Sequence, residues 1–294
     1  MVTGGAGFIG RYLANSILDK HQVTIYDNLS NSSEGEIIPL INKVKFIKGD
    51  ILDFEKLVRS SRKMDVMIHL AAKSDVTDSI IHPEITKNTN VNGTINVLKC
   101  CSQNKIKKII FASSAAVYGD CKGLITEKLK TEPLSPYGKS KLDAEEQIRK
   151  FAVGFDAIIL RLFNVYGMGQ NENSGVISKF LKNITENKPL VIYGDGKQTR
   201  DFVSVYDVVE AFSCAISLNH SETYNIASGI SVSVNDLAKM ILEISGKNLE
   251  IIYKKEKAGE IKFSQCDISL AQKLGFSPKI DLKKGLRDLV SVSD

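Results

Sequence analysis

Five short β-branched runs, VTIYD (23–27), VKFIKGD (44–50), VMIHLAA (66–72), KIIFASS (108–114) and AIILRLF (157–163), recur along the chain with longer helix-period stretches between them. Strands that are apolar at nearly every position are buried on both faces, and strands alternating with helices are joined by crossovers. The rhythm therefore specifies βαβ units and a parallel sheet covered on both sides. Ahead of the first run stands MVTGGAGFIG, in which Gly4, Gly7 and Gly10 form a G-x-x-G-x-x-G loop. Such a loop hangs off a buried strand and opens a helix whose amides face an anion. Ile9, Leu13 and Ile17 follow at i, i+4 and i+8, the apolar stripe of that helix. Only Met1, Val2 and Thr3 remain for the strand itself. Three residues give a central strand few ladder bonds, so the expectation is a shortened start, with a few apolar residues ahead of Met1 in the natural product.

Beyond about residue 165 the pattern loosens into Gly-, Asn- and Asp-rich turns at 167–175 and 194–196, with polar helices near 174–187, 206–218 and 234–246. The expected architecture is a Rossmann-type α/β fold, a doubly wound parallel sheet over 1–166, with a smaller C-terminal α/β substrate lobe over 167–294. A segment near 201–218 is expected to return to the first domain. A chain of 294 residues with 43% hydrophobic side chains can bury cores of that size. Its net charge of +5 is mild and its lysines are dispersed, which argues against a nucleic-acid or membrane surface. Cys100, Cys101, Cys121, Cys214 and Cys266 show no C-x-x-C spacing, so a reduced, cytoplasmic compartment is expected. The four histidines are equally scattered and no metal is expected. There is no leader pattern and no apolar run near the ~18 residues of a membrane span.

Two stretches carry chemistry. Asp27 ends the second strand, 17 residues past Gly10, where a carboxylate can accept both hydroxyls of an adenosine ribose. It would repel a 2′-phosphate and no arginine follows in DNLSNSS, which favours NAD over NADP. An Asp at a strand end is also a plain turn former. Asp50, in GDILD, repeats the pattern within reach of an adenine amino group. In SPYGKSKLDAEEQI, Tyr137 and Lys141 stand four apart, on one face of a helix. An ammonium beside a phenol favours the phenolate, a general base suited to an alcohol or sugar hydroxyl. FASSAAVYGD brings Ser114 to a strand end 23 residues ahead of Tyr137.

With these residues the chain resembles the extended short-chain dehydrogenase/reductases, the NAD-dependent epimerase/dehydratase family, and within it nucleotide-sugar 4-epimerases of the UDP-glucose 4-epimerase type. TGGAGFIG, YDNLSNSS, GDI, HLAA, NTNVNGT, SSAAVYG, YGKSK, LRLFNVYG, GDGKQTRDFVSVYDV, YNIASG and AGEIKFSQCDIS appear in the family's order over nearly the whole chain. The family's first strand is longer, in keeping with the expected shortened start.

The resemblance implies that Gly4, Gly7, Phe8, Ile9 and Gly10 cradle the NAD pyrophosphate, that Asp27, Asn28, Asn31 and Ser32 hold the adenosine ribose, and that Asp50 and Ile51 meet the adenine. Leu70, Ala71, Ala72 and Thr89 would line the cofactor, with Ser114, Tyr137 and Lys141 as the catalytic triad, the last two also touching NAD. Ser114, Asn164, Val176, Tyr193, Arg200, Lys257 and Glu260 would bind the nucleotide sugar, a UDP-hexose. A homodimer paired through helices around Asn90–Cys101 and Tyr137–Lys150 is implied as well, although Val91, Ile95, Val97 and Leu98 can equally face the sheet. Four positions depart from relatives. Ala115 and Ala116 stand where dehydratases carry an acid, which favours epimerisation; Lys257 replaces an arginine; and Ser264 replaces a bulkier residue, leaving room for a 2-acetamido group. A 4-ketosugar reductase, a dehydratase and a non-catalytic NAD-binding protein remain as alternatives.

Overall fold

The computed structural model describes residues 1–40, 42–121, 123–256 and 261–293. Its strands are β1 (Val2–Thr3), β2 (Thr24–Asp27), β3 (Lys45–Lys48), β4 (Val66–His69), β5 (Lys108–Ser114), β6 (Leu124–Ile125) and β7 (Asp156–Leu162). There follow β8 (Asn164–Tyr166), β9 (Leu190–Tyr193), β10 (Thr199–Ser204), β11 (Glu222–Ile226), β12 (Ser231–Ser233), β13 (Ile251–Lys254) and β14 (Gln265–Cys266). The helices are α1 (Phe8–Ile17), α2 (Glu34–Ile37), α3 (Phe54–Ser60), α4 (Val76–Ile81), α5 (Pro83–Lys87), α6 (Gly93–Gln103) and α7 (Pro136–Phe151). Then come α8 (Gly175–Thr185), α9 (Val205–Ser217), α10 (Val234–Ser245), α11 (Ser269–Lys273) and α12 (Leu282–Ser293).

Among the described residues the largest sheet has seven strands in the order β11–β7–β5–β4–β1–β2–β3. The pairs β3/β2, β2/β1, β1/β4 and β4/β5 are parallel. This is the Rossmann-type doubly wound arrangement that the five apolar runs specify. The order reverses at β1, and ligands of such sheets bind at the carboxyl ends of the strands beside that reversal. β1 keeps its central place with two residues, Val2 pairing with Ile25 on one side and Ile68 on the other. The bonds continue past its end, from Gly4 N to the Tyr26 carbonyl (2.9 Å) and from Leu70 N to the Thr3 carbonyl (3.0 Å).

The chain divides into two compact units. The first comprises Met1–Val117, Pro133–Arg161 and Val209–Tyr224. Its core joins Met67 of β4, Ile109 and Phe111 of β5 and Ile159 of β7 to Val97, Leu98, Cys100 and Cys101 of α6 and Ala144 and Ile148 of α7. Full burial of each large apolar side chain contributes about 1.5–3 kcal/mol. Val97 and Leu98 of α6, with Val91 just ahead of it, thus face the interior.

The second unit comprises Tyr118–Glu132, Leu162–Val208 and Asn225–Asp294. It is built on the β12–β10–β8 sheet and the parallel β13/β9 and β14/β6 pairs. Phe180 and Ile184 of α8, Leu237 and Ile241 of α10 and Leu286 of α12 form its core.

One buried polar tie runs through the first unit. His69, fully buried at the end of β4, bonds through Nδ1 to Thr3 Oγ1 (2.7 Å) and through Nε2 to Thr94 Oγ1 of α6 (3.0 Å). Burial, with some help from the Lys141 charge, lowers its pKa from 6.5 to about 3. Below pH 6.5 the unfolded chain therefore binds a proton that the fold refuses, and stability drops as pH falls toward 3 by up to ~1.4 kcal/mol per unit. His69→Gln, which does not titrate, should flatten that slope in urea denaturation between pH 6.5 and 4, and an unchanged slope would show that other groups govern acid lability.

Candidate active site

The glycine loop forms because only glycine fits it. Gly4 has φ +70°, and a Cβ there would lie 2.5 Å from the Ala71 nitrogen; at Gly10 a Cβ would lie 2.5 Å from the Gly4 carbonyl oxygen. The loop can therefore press against β4's end while α1 starts close behind β1. Gly7 is the N-cap of α1 and brings no side chain to its amides, and the first turn holds no acid. The leading N–H groups of a helix have no partner within it, so this uncapped N-terminus fits a pyrophosphate. Phe8 and Ile9 are half-buried at that turn.

The acidic end of the proposed cofactor site is equally built. Asp27 Oδ2 accepts from Ala6 N (3.0 Å) and Oδ1 from Leu29 N (2.8 Å). Burial raises its pKa, and those two N–H bonds oppose the rise. Leu29 holds φ 61°, a strained value for a non-glycine residue that sits directly after Asp27 and Asn28. Asn28 Nδ2 donates to Asp50 Oδ2 (2.8 Å), so the ends of β2 and β3 are tied together. Asn31 is exposed and Ser32 half-buried on the same loop. Ile51 turns its side chain into the core against Gly93, which leaves its backbone as the part available to an adenine. Leu70, Ala71, Ala72 and Thr89 are half-buried, the first three directly past β4. The amide-rich loop and the carboxylate suit NAD at its pyrophosphate and its ribose.

Helix α7 organises the chemistry. Ser135 caps it by accepting from Gly138 N (3.0 Å), Pro136 fills its first turn, and Arg149 and Lys150 lie in its last. Tyr137, Lys141, Glu145 and Arg149 stand at successive i+4 steps. Tyr137 is half-buried; burial pushes the phenol's pKa up and the nearby Ser114 hydroxyl opposes the rise. Lys141 is buried, donates to the Ala112 carbonyl (2.8 Å) and lies 4.8 Å from the centre of the Phe111 ring. Its pKa falls from 10.5 to about 7 because of burial, against the pull of Glu145.

Glu145 is fully buried and accepts from Ser113 Oγ (2.5 Å). Arg161 of β7 grips it with Nε (2.9 Å) and Nη2 (2.7 Å), and Arg149 adds a third guanidinium bond (2.7 Å). Burial disfavours its charge, but the arginines outweigh burial and its pKa is lowered. Three consecutive β5 residues, Ala112, Ser113 and Ser114, thus meet Lys141, Glu145 and Tyr137.

Asn90, in a π-helical turn (88–92) just before α6, completes the support. It accepts from Lys73 N (2.7 Å) and donates to the Lys73 carbonyl and to Ser140 Oγ, both at 2.9 Å. Such π turns recur at functional sites.

In the second unit, Arg200 Nη1 donates to the Thr199 carbonyl (2.8 Å) and the Ile261 carbonyl (2.6 Å). Neighbouring Asp201 is buried and accepts from Ser228 N (2.8 Å), Ser228 Oγ (2.7 Å) and Gly229 N (3.0 Å). Burial still raises its pKa to about 6. Asn164 Nδ2 donates to the Asp201 carbonyl (3.1 Å), which places Asn164, Arg200 and the Ser228 turn together. Val176 packs on the core from α8, and the Tyr193 carbonyl accepts from Gln198 Nε2 (2.7 Å). Ser264 is buried, its N donating to Thr199 Oγ1 (3.2 Å). Lys257 and Glu260 lie outside the described residues.

Sequence reasoning missed Glu145, Arg161, Asn90, Asp201 and the His69 tie. A charged residue inside AIILRLF and an acid four places after Lys141 were the available signals.

The chain matches the model of the NAD dependent epimerase/dehydratase family over residues 1–227. It is 40% identical over 299 residues to a putative UDP-glucose 4-epimerase of Methanocaldococcus jannaschii, covering 99% of this chain and 97% of the relative. Among solved structures it resembles the UDP-N-acetylglucosamine 4-epimerase of Methanobrevibacter ruminantium in complex with UDP-N-acetylmuramic acid, with 34% identity, 99% and 96% of the two chains covered and a TM-score of 0.94. It also resembles the UDP-glucose 4-epimerase of Thermus thermophilus in complex with NAD, with 28% identity, 99% and 97% covered and a TM-score of 0.93.

Gly138 provides a local test. A Cβ there would meet the Ala116 carbonyl oxygen at 2.5 Å and Pro133 Cβ at 3.0 Å, so α7 can approach the turn after β5 only through glycine. Gly138→Ala should push the helix start outward and cut turnover about ten-fold or more, since ångström-scale misplacement of a reacting group is that costly. Unchanged kcat would mean that the 115–117 turn gives way instead.

Proposed function

The chain belongs to the NAD-dependent epimerase/dehydratase family, and on that footing we propose that it interconverts the C4 epimers of a UDP-hexose by transient oxidation at C4. The substrates we assign are UDP-glucose with UDP-galactose and UDP-N-acetylglucosamine with UDP-N-acetylgalactosamine. The observation that carries the reading is the α7 face: Tyr137 beside Ser114, with Lys141 one turn behind and Ala115 and Ala116 next in sequence.

NAD, when bound, supplies the acceptor for the C4 hydrogen and a positive ring that favours a nearby phenolate. Gly4, Gly7, Gly10 and the first amides of α1 hold its pyrophosphate, and Asp27 its ribose. Tyr137 Oη takes the proton of the C4 hydroxyl, and Ser114 Oγ, beside that phenol, relays and steadies it. Lys141 lowers the cost of the phenolate as long as it is an ammonium. Methyl side chains at Ala115 and Ala116 can neither protonate nor deprotonate C5 or C6, which disfavours dehydration.

Residues of the second unit bind the nucleotide. The Arg200 guanidinium is the cation assigned to the diphosphate, and Asn164, Val176 and Tyr193 belong to the same subsite. A firm hold on the nucleotide leaves the hexose free to turn between oxidation and reduction. Ser264, small and backbone-anchored, leaves space for a 2-acetamido group.

Purified protein incubated with UDP-galactose or UDP-N-acetylgalactosamine without added reductant should yield the C4 epimers by NMR. Tyr137→Phe should lose at least about a thousand-fold in rate while still binding NAD. Wild-type rates in that variant would overturn the assignment, and stoichiometric NADH consumption would identify a reductase. Acceptance of UDP-galactose alone would limit the pocket to hexoses without the acetamido group.

The reading includes a cytoplasmic homodimer. No described helix is long and apolar enough to cross a membrane. With Val91, Val97 and Leu98 turned inward, the apolar surface left on α4 and α5 includes Val76 (45% exposed), Ile80 (59%) and Ile81 (65%) of α4 and Ile85 (54%) of α5. Sedimentation should give twice the chain mass, reverting to one chain in Ile81→Lys/Ile85→Lys; a monomeric wild type would refute pairing.

A further inference from the structure

Glu145 lies outside the set of residues that would touch cofactor or sugar, yet it is the most heavily partnered acid among the described residues of the first unit. Its carboxylate is fully buried and accepts Ser113 Oγ, two nitrogens of Arg161 and one of Arg149. Ser113 lies between the two β5 residues nearest the catalytic pair, Ala112, whose carbonyl accepts from Lys141, and Ser114, whose side chain stands beside Tyr137. Glu145 also follows Lys141 by one helical turn on the same face, where two side chains are neighbours.

We propose that Glu145 is a positioning residue of the catalytic face: it pins β5 to α7 through Ser113, and the balance between its charge and those of Arg161 and Arg149 decides whether Lys141 is carried as an ammonium. The proposal rests on the assignment of Tyr137 and Lys141 made above.

The surroundings of Lys141 leave few rivals for this role. From β5 it meets the Phe111 ring and the Ala112 carbonyl, neither of which titrates. From β4 it faces His69, which stays neutral at working pH. On its own helix the titratable neighbours are Tyr137 and Glu145. The charged residues of the helices packed on α7 lie toward solvent: Asp78 and His82 in a surface pair on α4, Glu84 and Lys87 on α5, and Lys99 on α6. Burial brings the lysine's own pKa down to about 7, and Glu145 is the group that opposes this. A small change in the Glu145 environment therefore shifts its protonation in the range where an enzyme works.

Removing Glu145's charge and removing an arginine's charge must then act in opposite directions. Glu145→Gln leaves two guanidinium groups uncompensated and should lower the Lys141 titration midpoint by about one pH unit or more, within the range for a lost neighbouring countercharge. The alkaline limb of kcat should move down with it. Arg161→Gln and the gentler Arg149→Gln, at a half-exposed side chain, should move both upward.

The test follows Lys141 by NMR of protein labelled at lysine 13Cε, its resonance assigned with Lys141→Arg, alongside pH profiles of UDP-galactose turnover. Opposite shifts for the acidic and basic substitutions support the proposal. Equal midpoints in all variants, or shifts of the same sign, overturn it. Should Arg161→Gln fail to fold, Arg149→Gln against Glu145→Gln decides alone. The NMR midpoint is readable whether or not the sugar turns over, so a wrong substrate assignment and a wrong role for Glu145 give different results.

Discussion

The contact on which the first unit's chemistry depends is the lacing of β5 to α7. Three consecutive strand residues take three positions of one helix face: a carbonyl for Lys141, a hydroxyl for Glu145 and a hydroxyl for Tyr137. Burying a lysine and a glutamate on an otherwise apolar face is costly, and it is sustained because each charge is met by fixed partners. Breaking a buried pair by removing one member typically costs about 3–5 kcal/mol, whereas a well-packed apolar replacement often costs nothing. The pair is thus poorly explained as a device for stability. It is better explained by position: a helix pinned by its ion pair cannot rotate or slide its phenol relative to the strand end.

Three buried carboxylates illustrate how partner type decides charge. Asp27 and Asp201 are met by backbone amides and a hydroxyl, and burial still raises both, Asp201 to about 6. Glu145 is met by guanidinium groups and goes the other way. Dipoles orient an acid without fully securing its charge, while a cation secures it. Asp201 accordingly holds the Ser228 turn against β10 as a hydrogen-bond hub, beside Asn164 and Arg200.

What was readable in the amino-acid sequence is what local periodicity carries. The five runs became β2, β3, β4, β5 and β7, the glycine loop opened α1, and Tyr137 and Lys141 fell on one face of α7. Asp27 and Ser114 were placed by their strands' ends. The ties that support them were not readable, because each joins distant positions: Thr3 to His69, Lys73 to Asn90 and on to Ser140, Asp201 to Ser228. Between Glu145 and Glu146 the sequence offers no choice until the helix is docked and one of them meets Arg161. The orientation of Val91, Val97 and Leu98 was open for the same reason, and docking turned them into the core.

The path of the chain has a consequence for how the protein is made. The first unit takes its last segment, Val209–Tyr224, only after Tyr118–Glu132 and Leu162–Val208 have been spent on the second. Its sheet gains the edge strand β11 only at Glu222–Ile226, some 60 residues after β7. At about 5–20 residues per second, β7 leaves the ribosome several seconds ahead of the neighbour that covers its edge. An unpaired, apolar strand edge is an invitation to pair with the wrong partner. Arg161 sits within that waiting strand, buried against Glu145 of a helix that precedes it in the chain.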